Sequence, residues 1–303
     1  MLRHFLDLFD ITADEARMLL DRASSLKHER FVPPGSATGR TLGLIFEKPS
    51  LRTRVSFEAA MTQLGGASTF LRGSDVGLGV RESVRDFARV ISQYIDVLAI
   101  RTFAHATVEE LARHASIPII NALSDEAHPC QAMADVLTIR EAFGKLDASI
   151  KLVFVGDGNN VARSLAVASA LLDVSFVLAS PAAYDFPADF RRRFESAFPG
   201  VRLVVEHDPK KAVEGANAIY TDVWASMGQE GETAARRLAF EPYQVNARLF
   251  AAAESKAVFL HCLPAHRGEE VTDEILDSDR SLVIPQAANR LHFQKALLDW
   301  LLT

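Results

Sequence analysis

An alternation that begins near residue 41 constrains this chain more than any other feature. Short apolar runs, often β-branched, recur at Thr41–Phe46, Ser68–Leu71, Val97–Arg101, Ile117–Asn121, Lys151–Val155, Ser175–Ala179, Val201–Val205, Ala218–Thr221, Val258–His261 and Leu282–Ile284. Helical patterning fills the gaps at Glu82–Tyr94, Val108–His114, Pro129–Phe143, Val161–Leu172 and Phe190–Ala197. Runs this short and this uniformly apolar read as parallel strands buried on both faces. The β-α-β order predicts open α/β sheets with right-handed crossovers. Pro129–Phe143 is long, and Gly144-Lys145-Leu146-Asp147 punctuates its end, so the alternation is expected to divide into two sheets near residue 145. The predicted fold is two doubly wound parallel-sheet domains, 1–145 and 146–286, followed by a helix at 287–303 whose apolar positions include Leu291, Ala296, Leu297, Trp300 and Leu301.

The bulk numbers permit this division and exclude several function classes. A chain of 303 residues with 49% hydrophobic and 24% charged content can build two ordinary cores. A net charge of −6 offers no broad basic face to nucleic acid, so any anion site must be a local cluster of arginines. No apolar run approaches the ~20 residues that span a bilayer. The first ten residues are short, mixed and acidic, unlike a signal or transit peptide, and a cytoplasmic address is the default. Two cysteines, Cys130 and Cys262, make neither a disulfide scaffold nor a structural zinc set.

Residues 47–58 carry the clearest chemistry. The run Leu42–Phe46 ends in a polar turn at Glu47–Pro49, and helical patterning follows, so Ser50 falls at a helix N-cap. The first helical amides lack backbone partners and carry the positive end of the helix dipole. Ser50 and Thr53 add hydroxyls, and Arg52 and Arg54 add cations, which together describe a phosphate site. Residues two apart on a helix point about 200° from each other, so only one arginine can face the ligand. Arg52, in the first turn, is the candidate; Arg54 has Glu58 four residues on, within ion-pair reach.

Other polar residues fall at predicted strand ends, where open α/β sheets bind ligands. Arg101 ends a buried run and needs an anion, either a neighbouring carboxylate or a bound phosphate. His128 precedes Pro129, a residue suited to the first helical position, which puts the imidazole at a second helix mouth. Gln131 both donates and accepts, as an amide-like group requires, whereas Cys130 reads as core packing. Gly156-Asp157-Gly158-Asn159-Asn160 half-matches a dinucleotide fingerprint, with Val161 in place of the third glycine. Cys262 reads either as a small buried hydrophobe or as a polar contact. The loop from Ser226 to Pro242 is long and charged enough to be a candidate lid.

In order along the chain, these segments resemble the aspartate/ornithine transcarbamoylase family. Ser50-Leu51-Arg52-Thr53-Arg54 is similar to its Ser-Thr-Arg-Thr-Arg carbamoyl-phosphate motif, and His128-Pro129-Cys130-Gln131 to the motif that contacts the carbamoyl group. Asp222-Val223-Trp224-Ala225-Ser226-Met227-Gly228 and His261-Cys262-Leu263-Pro264 resemble the ornithine branch, and Asn289-Arg290 the last phosphate-binding arginine. The resemblance spans residues 4 to 302 and implies transfer of a carbamoyl group from carbamoyl phosphate to the δ-amine of ornithine, in arginine metabolism. Under it, Arg101, His128 and Cys262 serve catalysis. Carbamoyl phosphate is bound by Ser50, Leu51, Arg52, Thr53, Arg101, His128, Gln131, Cys262, the Leu263 backbone and Arg290. Ornithine is bound by Asn160, Asp222, Ser226 and Met227, with Asp222 as counter-ion to the α-ammonium. No metal or organic cofactor is implied, and a homotrimer or multiple of trimers is. The helix at 287–303 is implied to return to the first domain, joining Pro129–Phe143 as the second link.

Two positions depart from the family pattern. Leu51 replaces a threonine, which removes a hydroxyl but leaves the amide. Gly77 stands where many relatives carry a residue that reaches a neighbouring subunit, leaving that contact to Asp75 or Arg81 or to no residue. Three other readings compete: a transcarbamoylase for another amine, such as putrescine or an acylated ornithine; a nucleotide-binding dehydrogenase built on the Gly-Asp-Gly turn; and a catalytically dead binding or regulatory homologue, against which the intact arginines and His261-Cys262-Leu263-Pro264 argue.

Overall fold

The computed structural model describes residues 2–28, 35–225 and 230–303. The chain divides into two compact units, 1–137 with 288–303, and 138–287. In the first unit the elements are α1 (Ala13–Lys27), β1 (Thr41–Phe46), α2 (Leu51–Gln63), β2 (Ala67–Arg72), α3 (Gly73–Val76), α4 (Val84–Ile91), β3 (Val97–Arg101), α5 (His105–His114) and β4 (Ile119–Leu123). Helix α6 (Pro129–Phe143) runs through the division. The second unit holds β5 (Lys151–Val155), α7 (Asn160–Leu171), β6 (Ser175–Ala179), α8 (Ala188–Ala197), β7 (Val204–Glu206), α9 (Pro209–Val213), β8 (Ala218–Thr221), α10 (Thr233–Phe240), α11 (Ala247–Phe250), β9 (Val258–His261) and α12 (Asp273–Leu276). Helix α13 (Val283–Leu302) again crosses the division, so two helices link the units.

Both sheets are parallel throughout, in the orders β2-β1-β3-β4 and β7-β6-β5-β8-β9. In each, the chain starts in the interior, winds to one edge, then returns to the other side of its first strand. The order therefore reverses between β1 and β3 in the first sheet and between β5 and β8 in the second. In open α/β sheets generally, such a reversal leaves a crevice at the carboxyl ends of the strands, the usual place for a ligand.

Burial explains the strand composition. Ile45, Leu98, Ile100 and Ile119 join Phe87, Ala88, Val108 and Leu111 in one core of the first unit. In the second, Val153, Val155, Val177, Ile219 and Phe259 pack with Val213, Phe240, Phe250 and Val283. The edge strand β4 is partly covered by Phe5, whose N–H donates to the Ile119 carbonyl at 2.8 Å while its carbonyl accepts from Asn121 N–H at 2.8 Å. A capping box between Thr12 and Glu15 opens α1, a helix outside the alternation pattern.

Three sequence expectations shift. The run Leu282–Ile284 is not a strand: it exchanges hydrogen bonds with Phe259 on the β9 edge through the Arg280 carbonyl and Leu282 N–H, then enters α13 at Val283. Pro285 explains the change, because it cannot donate to a ladder yet fits the first turn of a helix, whose N–H groups lack partners anyway. The strand expected at Ile117–Asn121 starts two residues later, beyond Pro118. That expected at Val201–Val205 shrinks to the three residues of β7. Gly77 is left-handed (φ 60°) at the end of α3, and Arg81 Nη1 donates to the Asp75 carbonyl at 3.4 Å. Among the described residues, no helix is long and apolar enough to cross a membrane.

The turn after β5 gives the glycine pair a role that needs no nucleotide. A Cβ on Gly158 would lie 2.7 Å from the Phe186 N and 2.8 Å from its Cα, both backbone atoms that cannot step aside. Gly158→Ala is expected to lower stability by about 1–3 kcal/mol through this overpacking. Urea unfolding of the two proteins measures it, and an unchanged midpoint would contradict the close approach.

Candidate functional site

Register brings the polar residues of each unit together. In the first sheet Phe46 pairs with Arg101, so the turn leading to Ser50 and the end of β3 flank the reversal. Ser50 caps α2, its Oγ accepting from Thr53 N–H at 3.4 Å and donating to Thr53 Oγ1 at 3.0 Å. Thr53 is buried, and its Oγ1 also accepts from Arg290 Nη2 at 2.9 Å. Arg290 Nη1 donates to Gln131 Oε1 at 2.8 Å, and Gln131 Nε2 donates to Asp135 Oδ1 at 2.7 Å. Four of the expected residues, Ser50, Thr53, Gln131 and Arg290, thus form one hydrogen-bonded chain. Asp135 joins it without having been singled out in the sequence; its signal is an acid one turn after Gln131 on a helix face that also carries His128 and Thr138.

Arg54 takes its expected partner, Nε to Glu58 Oε1 at 3.0 Å, and its guanidinium lies 3.9 Å from the centre of the Phe70 ring. Arg52 and Leu51 are exposed at the mouth of the same helix. His128 is buried immediately before α6. Burial, then the positive charges of Arg290 and Arg101, hold its pKa well below the ordinary imidazole value. A neutral imidazole beside two guanidiniums suits an oxygen that acquires negative charge. Cys130 is buried with its thiol pushed up to about 12, mainly by burial, and its Sγ lies 3.7 Å from the Asn121 carbonyl, in keeping with core packing.

In the second sheet Thr221 pairs with Val155 on one side and His261 on the other. The residues one step beyond, Asp222 and Cys262, are therefore neighbours: the thiol donates to Asp222 Oδ1 at 3.0 Å. Asp222 is buried, and its Oδ2 accepts from Asn159 Nδ2 at 3.2 Å. Asn159 is the N-cap of α7 and also accepts from Val161 and Ala162 N–H, and Asn160, the residue expected to contact ornithine, opens the helix beside it. Helix capping favours asparagine strongly, a signal the motif comparison passed over. Leu263 is left-handed (φ 58°), and its N–H donates to His261 Nδ1 at 2.8 Å. His261 Nε2 faces Glu270 Oε1 at 3.1 Å, and both side chains are buried. Ser226 and Met227 lie outside the described residues.

Asp222, His261 and Cys262 bring atoms of metal-ligand type within 4.8 Å of one another. Both imidazole nitrogens of His261 are occupied by Leu263 and Glu270, and the thiol is engaged with Asp222. These donors are committed to shaping the loop.

Two parallel α/β units, one with Arg101 at its reversal and the other with the buried Asp222 at its own, define a doubly wound two-domain α/β protein with charges of opposite sign at the two reversals. Residues 3–141 match the carbamoyl-P binding domain of aspartate/ornithine carbamoyltransferases, and residues 148–301 match their Asp/Orn binding domain. The chain belongs to the aspartate/ornithine carbamoyltransferase family. It is 49% identical over 304 residues to an ornithine carbamoyltransferase of Acidothermus cellulolyticus, covering 100% of this chain and 97% of the relative. The solved ornithine carbamoyltransferase of Pyrococcus furiosus superposes with a TM-score of 0.92 at 47% identity, covering 98% of this chain and 96% of that one. That of Thermus thermophilus does so with 0.90 at 44%, covering 100% of both.

The lowered pKa of His128 has a thermodynamic consequence. The unfolded chain takes up a proton near the ordinary value of 6.5, while the folded chain does not. Below about pH 6.5 the unfolded state binds more protons, so stability falls with pH, by at most about 1.4 kcal/mol per unit from this group. The imidazole Cε1–H resonance should still report a neutral ring at pH 6. A His128→Asn protein should lose that part of the pH dependence in urea unfolding, and an unaltered slope would refute the assignment.

Proposed function

We propose that the protein transfers the carbamoyl group of carbamoyl phosphate to the δ-amine of L-ornithine, giving L-citrulline and phosphate. The observation that carries this reading is the pairing of unlike sites at the two sheet reversals. Arg290 is fixed on Thr53 and Gln131 in one unit, and Asp222 is fixed by Asn159 and Cys262 in the other. The first set suits a phosphorylated substrate; the second suits the α-ammonium of an amino acid.

Arg52, Arg101 and Arg290, with Ser50, Thr53 and the amides from Leu51 onward, hold the phosphate. His128 and Gln131 hold the carbamoyl oxygen and nitrogen, and the Leu263 backbone and Cys262 orient the reacting end. Asp222 pairs with the α-ammonium, with Asn160, Ser226 and Met227 completing the ornithine contacts. The neutral δ-amine attacks the carbonyl carbon, a tetrahedral oxyanion forms, and the C–O bond to phosphate breaks. The amine proton leaves to solvent or base as the C–N bond forms. Most of the catalytic work is therefore orientation and electrostatic stabilisation. A free δ-ammonium has a pKa near ~10.4 by analogy with lysine, so activity should climb on the alkaline side of neutrality. The family resemblance supports a cytoplasmic homotrimer, and light scattering against the 33.2 kDa chain mass measures the assembly.

A citrulline assay against a panel of amines tests the reading: ornithine should react, and putrescine and acylated ornithine poorly. Equal use of putrescine would remove the amino-acid head-group site. Asp222→Asn should weaken ornithine by about two to four orders of magnitude, since leaving a buried charge unpaired costs roughly 3–5 kcal/mol, while carbamoyl phosphate binding is retained. Conversely, Arg52→Ala should collapse carbamoyl phosphate affinity in calorimetry with the fold intact; near-normal affinity would take Arg52 out of the site.

A further inference from the structure

Arg236 is a buried cation with no place in the reaction as described. It sits on α10, and its contacts converge on the second sheet's reversal. Nη1 donates to Asp157 Oδ2 at 2.8 Å and to the Trp224 carbonyl at 2.9 Å. Nε donates to Glu232 Oε2 at 3.1 Å, and the guanidinium lies 4.9 Å from the centre of the Tyr184 ring. Asp157 belongs to the turn after β5, and Trp224 lies two residues beyond Asp222 in the turn after β8. One side chain therefore ties together the two turns that flank Asp222.

The electrostatics give the tie a purpose. Burial pushes the Asp157 carboxyl above its ordinary value, Arg236 opposes that rise, and the charge of Asp222 adds to it. The two carboxylates thus repel, and the charge of Arg163 acts with Arg236 to hold the Asp157 value down. Arg236 neutralises one of them, Asp157, while Asp222 is held by the neutral donors Asn159 and Cys262. Among the described residues Asp157 therefore has an ion-pair partner and Asp222 has none, and Asp222 is the acid assigned to the substrate ammonium.

We infer that Arg236 is the positioning residue that selects Asp222, rather than Asp157, as the anion presented to the amino-acid head group. The inference rests on the ornithine reading above. Without the guanidinium, Asp157 becomes a second buried carboxylate competing for the same ammonium or taking up a proton, and the Trp224 carbonyl loses its donor. With Asp157 neutralised but Arg236 intact, the guanidinium is left to pull on Asp222. Either single change therefore damages ornithine binding, and the two together relieve each other. The carbamoyl phosphate groups assigned to the first unit are untouched.

Steady-state kinetics of the full chain test this with Arg236→Met, Asp157→Asn and the double variant, alongside carbamoyl phosphate affinity by calorimetry. Arg236→Met should raise the ornithine KM by about tenfold or more, because a buried ion pair has lost one partner. Asp157→Asn should raise it by a smaller factor, and the double variant should return it toward the parent value. Carbamoyl phosphate affinity should stay within about twofold in all three, since no changed contact reaches its site. Arg236→Lys should recover part of the ornithine affinity. A lower melting temperature with unchanged ornithine KM, or equal losses for both substrates, would reduce Arg236 to a structural clasp and overturn the inference. If Arg236→Met fails to fold, Asp157→Asn and the double variant decide the question by the same criterion. A parent protein that forms no citrulline would defeat the ornithine reading; an active parent with indifferent variants defeats this inference alone.

Discussion

Everything in this structure follows from parallel strand pairing that starts in the middle of a sheet. A parallel ladder forces each connection to cross a face, and right-handed crossovers send the connections on the two sides of the first strand to opposite faces. The carboxyl ends of β1 and β3, and of β5 and β8, are left with loops that part from each other. Any residue one or two steps past those strands points into the space they leave. Asp222 and Cys262 meet at 3.0 Å because Thr221 and His261 are register partners, not because of anything local to either segment.

The two reversals hold charge in the same way with opposite sign. Arg290 is oriented by Thr53 and Gln131, which are neutral acceptors. Asp222 is oriented by Asn159 and Cys262, which are neutral donors. Neutral partners of this kind fix a charged group in place without cancelling its field, and burial strengthens that field. Asp157 is the contrast: it sits beside Asp222 but is matched to Arg236 by a full ion pair. The lowered pKa of His128 belongs to the same design, since a third cation beside Arg101 and Arg290 is strongly disfavoured.

Local features were legible along the chain. The Ser50 cap, the Pro129 start of α6 and the Arg54–Glu58 pair each depend on residues within four positions, and each stands as read. Less was legible where a short pattern had two physical solutions. Leu282–Ile284 is apolar enough for a strand, but Pro285 turns it into the first turn of α13 after two edge hydrogen bonds. Asn159 and Asn160 are equivalent in composition, and only the position of the helix start makes Asn159 the cap that holds Asp222. The Gly-Asp-Gly turn resembled part of a nucleotide loop, whereas Gly158 is needed because the Phe186 backbone passes against it.

The amino-acid sequence alone determined the fold class, the strand and helix alternation, the helix cap at Ser50, and through its motifs the family. These rest on short-range rules: periodicity, capping and the intrinsic chemistry of side chains. The tertiary structure alone decided which distant residues complete each site. Arg290 reaches Thr53 across 237 positions, and Arg236 reaches Asp157 across 79. No local propensity encodes those meetings. They are set by strand order and register, which place side chains from remote segments at one sheet edge only once the cores have closed.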